Sequence, residues 1–136
     1  MITDWGKVRH FNVGEFGPRA ELVHPTLVHI MDELRERSGW AIRINVAWAE
    51  KGHSEKSYHY TGQAIDFAFL RGSSLEQYCF LREFREIGGI GFYPEWNTPG
   101  WHIDLRSGFL QWVRHYGIYT YGPQLMSKFL NMRRVK

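Results

Sequence analysis

The chain has little cysteine, no long apolar run, and no acidic residue in its last thirty-two positions. Its one cysteine, Cys79, excludes an internal disulfide framework. In a helix-like stretch it is expected as a small buried residue. No run of eighteen apolar residues occurs, so no membrane insertion is expected. The start, MITDWGKVRHF, has no apolar h-region; no secretory signal is expected, and synthesis in the cytoplasm is. Acids stop at Asp104. Residues 1–104 hold eleven bases against fourteen acids, a balance of −3, and residues 105–136 hold six bases, Arg106, Arg114, Lys128, Arg133, Arg134 and Lys136, a balance of +6. Such an end can approach an anionic polymer. Six bases over thirty-two residues form no dense run, so nucleic acid is not expected as a partner and a solvated face is the plainer reading.

What is present suits one folded domain over residues 1–136. Aromatics reach 16%, with six Trp, seven Tyr and nine Phe, enough to fill a core and to line a groove for an extended substrate. Pro25 to Ser38 reads as a helix: proline in the first turn, Leu27, Ile30, Met31 and Leu34 on one stripe, Gly39 as the stop. Trp40 to Trp48 alternates and reads as a strand. Glu50 to Thr61 reads as a loop and Ala64 to Leu70 as a strand. Ser73 with Glu76 opens a second helix, expected to run to about Ile87 before Gly88-Gly89. Gly89–Tyr93 and Trp101–Leu105 read as a hairpin around Pro94–Gly100, and Gln124–Met132 as a last helix. The class is α+β: a small single domain, an antiparallel sheet with helices packed on one side. The oligomeric state is not legible.

The chemistry gathers in two segments, SYHYTGQAID (Ser57 to Asp66) and GWHIDLR (Gly100 to Arg106). They offer His59, Asp66 and His102. Two imidazoles and one carboxylate suit one zinc ion and leave a tetrahedral position open for water, the pattern of a catalytic site. His102 and Asp104 are two apart on a strand and share a face, so Asp104 either binds the metal or orients a ligand imidazole. A carboxylate set among Ile65 and Phe67 is costly unless paired or metal-bound. On composition alone the plainer alternative is a hydrogen-bonded core aspartate and two surface histidines.

The pattern Ser57-x-His59-x-x-Gly62-x-Ala64-x-Asp66 followed by WHIDLR resembles the zinc D-alanyl-D-alanine carboxypeptidase family. That family includes peptidoglycan L-alanyl-D-glutamate endopeptidases of phage endolysins, and the hedgehog signalling domain shares its fold. HFNVGEF, the helix LVHIMDELRERSG and the strand after it stand in the order of compact members. The resemblance implies a zinc metallopeptidase acting on peptidoglycan stem peptides, with one zinc held by His59, Asp66 and His102. It implies that Ser57 lies at the site edge, that Gly62 and Ala64 keep the chain close to the metal, and that action is on the cell wall once the protein is released. Two positions depart from the family. The acid usual before the second zinc histidine is replaced by Thr98, Pro99, Gly100 and Trp101, which leaves Glu95 as the expected general base with Asp104 next. The usual arginine before the motif is missing; Arg43 or Arg71 is expected to substitute for it in substrate contact, though neither matches the pattern, with Trp101 and other aromatics lining the groove. The alternatives are a non-catalytic zinc-binding domain on the same fold and a virion or assembly protein with a relic site.

Overall fold

The computed structural model describes residues 2–122 and the backbone of 134–135. The helix expected over Gln124–Met132 and the side chains of the basic end beyond it lie outside the described residues. Helix α1 spans Pro25–Ser38. The His24 ring accepts from the Thr26 amide at its start, and Gly39 closes it at φ 70°, a left-handed cap that suits glycine. Its stripe of Leu27, Ile30, Met31 and Leu34 is wholly buried. Asp32, on the same helix, is also buried and accepts the Arg9 and His10 amides, which ties the N-terminal segment to α1.

Seven strands follow among the first 122 residues: β1 (Ile42–Val46), β2 (Ala64–Phe69), β3 (Gly72–Ser73), β4 (Gly89–Tyr93), β5 (Gly100–Asp104), β6 (Leu110–His115) and β7 (Ile118–Tyr121). The main sheet has the order β1-β2-β5-β4-β6-β7. It is antiparallel except for the β4–β6 pair, which is parallel. A small second sheet pairs β3 with β8 (Arg134–Val135).

Helix α2 spans Ser74–Leu81, opened by the Ser73/Glu76 capping box. It ends six residues before the Ile87 expected of it. Beyond Leu81 the backbone tightens into i→i+3 bonds, Glu83 N–H to Phe80, Phe84 to Leu81 and Ile87 to Phe84, and this tighter winding carries Phe84 and Ile87 into the core. Cys79 is exposed, not buried as expected. The inward face of α2 is Ser74, Gln77 and Leu81, and a residue two past Gln77 falls on the opposite side.

Strand parity divides the sheet into two faces. Ile65, Phe67, Phe69, Ile90, Phe92, Trp101, Ile103 and Val113 join α1 in one core cluster. Helix α2 covers the same face, since the Trp101 indole donates to Gln77 Oε1 at 2.9 Å. Asp66, His102, Gly91 and Trp112 are aligned across neighbouring strands and point the other way.

Candidate active site

The uncovered face holds an open cavity of about 790 Å³ lined by His53, His59, Asp66 and His102 among others. Each donor is placed by local structure. Ser57 caps the short turn Tyr58–Thr61 by accepting the His59 amide at 3.2 Å, and it also lines the cavity. Gly62 closes that turn at φ 70°. A Cβ on Gly62 would overlap the Leu22 carbonyl, so the close approach this glycine permits is to the Leu22–Val23 backbone. Asp66 on β2 faces His102 on β5 in direct register.

Asp66 Oδ1 stands 3.1 Å from His59 Nε2 and 2.9 Å from His102 Nδ1. The far nitrogen of each ring is anchored: His59 Nδ1 on the Ala47 carbonyl at 2.8 Å, and His102 Nε2 on Asp104 Oδ2 at 2.7 Å. A carbonyl only accepts, so His59 Nδ1 carries a proton and Nε2 is the ring atom turned toward the carboxylate. In the neutral ring that Nε2 is a lone pair facing an anionic oxygen, an arrangement that a cation between them resolves. The donor set therefore fits a divalent metal.

Asp104 is completely buried. It takes the His102 ring on one side and a forked pair from Arg106, Nε and a terminal nitrogen each at 2.8 Å, on the other. The arrangement orients the imidazole from behind and leaves Asp104 no access to substrate. Gly89 and Gly91 make room for it: a Cβ at Gly89 would meet the Asp104 carboxylate, and one at Gly91 would lie 2.5 Å from the Trp112 indole. The Trp112 ring then stands 5.2 Å from the His102 ring.

Electrostatics without a metal follow from this packing. Burial opposes ionisation of Asp66, but the two histidines outweigh it and hold its carboxyl down to about 2. Burial likewise opposes charge on His102, yet Asp104 and Asp66 together raise it to about 9. Asp104 is lowered to about 2, against burial, by His102 and Arg106. Stability of the metal-free protein should follow. The His102 contribution is full below its unfolded value of 6.5 and is lost as pH rises through about 9. The carboxylate contributions are present above 3.8 and are lost as pH falls through about 2. Melting temperatures of chelator-treated protein should fall on the alkaline side between these values, and saturating zinc should remove that fall, because a bound metal replaces the proton on His102. A flat alkaline profile without metal would contradict the assignment.

The remaining expected residues separate. Glu95 lies in the turn after β4, is not among the cavity-lining residues, and has one carboxylate oxygen buried without a hydrogen-bond partner. Arg43, on edge strand β1, is exposed, bonds Asn45 at 3.0 Å, and does not line the cavity. Trp101 is fully buried on the helix-covered face. The cavity aromatics are Tyr58, Tyr93, Trp96, Trp112, Tyr119 and Tyr121, so half of them come from β6 and β7.

His53 was not read from the sequence. Its ring stacks on His59 with centroids 4.2 Å apart. Tyr60 clamps its backbone, accepting from the His53 amide at 2.9 Å and donating to its carbonyl at 2.6 Å. Donor atoms of His53, His59 and Asp66 all lie within 4.8 Å of one another. Burial lowers the His53 pKa, with His59 adding to the effect. The sequence signal was faint: a histidine six residues before His59 in a polar loop.

The family described as peptidoglycan L,D-endopeptidase MepK matches residues 27–112, more than half of the chain, a span that includes His59, Asp66, His102 and Asp104. The fold is thus that of a peptidase of the zinc D-alanyl-D-alanine carboxypeptidase type. More particularly, the chain belongs to the Peptidase_M15_2 family. Neither a curated protein nor a solved structure matches it. Among the described residues, no helix is long and apolar enough to cross a membrane.

Proposed function

We propose that the chain is a zinc-dependent peptidase that hydrolyses peptide bonds in peptidoglycan stem peptides. The observation that carries this is the convergence of His59 Nε2 and His102 Nδ1 on one oxygen, Asp66 Oδ1, at 3.1 and 2.9 Å. These three residues would hold the ion. When bound, zinc lowers the pKa of a water ligand to about 7 and polarises a carbonyl. Asp104 keeps the His102 ring in place, and Arg106 keeps Asp104 ionised. Tyr93, Trp96 and Trp112 offer flat walls to an extended peptide. Hydrolysis of synthetic stem peptides should stop on chelation and return with about one equivalent of zinc. Full rates in chelator would refute the reading.

Taking the water's proton needs a base at the cavity. Glu95 was expected in that role; His53 is the group we favour, since it lines the cavity and Glu95 does not. His53→Ala should keep zinc and lower the rate by about a hundredfold, while Glu95→Gln stays within a few-fold of the unmodified protein. The reverse ranking in steady-state rates would return the role to Glu95. A second reading, a non-catalytic zinc-bearing binding domain, draws on one observation: Asp66 is the only carboxylate lining the cavity among the described residues.

A further inference from the structure

Among the described residues, two cations on the cavity lining have no acid partner, the exposed Lys56 and the partly buried Arg114, and only Arg114 is held in place by the sheet. It lies on β6 two residues past Trp112, hence on the same face, and it lines the cavity. Its Nε is buried and has no hydrogen-bond partner. No carboxylate pairs with it among the described residues. No acidic side chain follows Asp104 in the sequence, so residues 123–136 bring none.

The other lining arginine differs. Arg106 is neutralised by its forked bond to Asp104. Asp66, the one lining acid, is committed to two histidines. The Arg114 guanidinium carbon lies over the Tyr119 ring, 5.7 Å from its centroid, a contact that supplies no carboxylate. A buried N–H without an acceptor is costly, and a guanidinium edge matches a planar oxyanion.

The register sets the distance. His102, Gly91 and Trp112 are aligned across β5, β4 and β6. Strand spacing of about 4.8 Å and a rise of about 3.4 Å per residue put the Arg114 Cα on the order of 12 Å from that of His102. The arginine side chain covers part of this, leaving room for one or two residues of extended peptide. We infer that Arg114 is the receptor for a free carboxylate of the substrate, borne one or two residues from the bond that is cleaved. This rests on the peptidase reading above.

The test uses two synthetic peptidoglycan stem peptides, identical except that one carboxylate is free in the first and amidated in the second. Affinity is read by calorimetry on zinc-loaded protein, and turnover by mass spectrometry with kcat and KM separated. The free-carboxylate peptide should bind roughly tenfold tighter or more. Arg114→Gln should bring the two to equal affinity, and Arg114→Lys should keep part of the difference. Zinc content and melting temperature are measured on each variant. Equal affinities in the unmodified protein, or a preference that survives in Arg114→Gln, would overturn the inference. Should the variants not fold, the comparison of the two peptides on the unmodified protein decides alone. A carboxylate preference in binding without hydrolysis would sink the peptidase reading and keep the receptor; hydrolysis without preference would do the reverse.

Discussion

Asp66→Ala is expected to empty the metal site and abolish hydrolysis. Asp66 is the one acceptor shared by His59 and His102, and its loss leaves two anchored imidazoles and no anionic ligand. Metal chemistry supplies several kcal/mol of transition-state stabilisation, and each 1.36 kcal/mol is a factor of ten. The rate should fall by about a thousandfold or more. Bound zinc should fall below stoichiometric at micromolar free metal. The apo fold should survive, because the residue lies on the open face of the sheet and the core on the other face is untouched. Elemental analysis with a peptide assay decides it: a variant that keeps one zinc per chain and a tenth of the rate would remove Asp66 from the ligand set.

Gly62→Ala is expected to be among the most damaging single changes to the fold. Two costs combine at this position. A left-handed backbone at φ 70° costs a side-chain residue about 1–2 kcal/mol. The added methyl also overlaps the Leu22 carbonyl, and overpacking against rigid backbone costs about 1–3 kcal/mol. The neighbouring bond from the His24 amide to the Gly62 carbonyl, 2.8 Å long, would have to move with it. A melting temperature lower by about 10 °C or more follows, with zinc affinity reduced because His59 sits on the same turn. Gly39→Ala is the control: it has the same positive φ but open space for a Cβ, so it should cost only the backbone term. Equal melting temperatures for the two variants would show that the Leu22 contact does not matter.

Much of this arrangement is legible in residues alone, for identifiable reasons. The first helix is announced at both ends, by Pro25 and Gly39, and by a stripe that stays in phase over two turns. The residues proposed to hold the metal are legible because Asp66 interrupts an apolar strand, where a carboxylate needs a strong partner, and because His102 and Asp104 share a strand face. Parity also settles Trp101: being adjacent to His102, it must point to the opposite face, into the core. Its expected place in the groove follows from the neighbouring His102 alone and leaves out that period of two. The strands β6 and β7 are harder. Trp112 and Val113 stand side by side and blur the alternation, and the hairpin turn is Tyr116-Gly117, with φ 50° and 80°, instead of an asparagine–glycine pair. Those two strands carry Trp112, Arg114, Tyr119 and Tyr121, so the wall of the cavity was invisible while its floor was not. His53 was hidden for another reason: it reaches the site through a loop held by the Tyr60 hydroxyl, a contact that no spacing rule encodes.

The activity proposed for this chain is cleavage of cell-wall peptides at the site formed by His59, Asp66 and His102. Isolated peptidoglycan digested by the zinc-loaded protein, with soluble products identified by mass spectrometry, tests it most directly. New amino and carboxyl termini within the stem peptides or their cross-links, absent with the Asp66→Ala protein, are the predicted result. Peptidoglycan left intact by fully zinc-loaded, folded protein would contradict it.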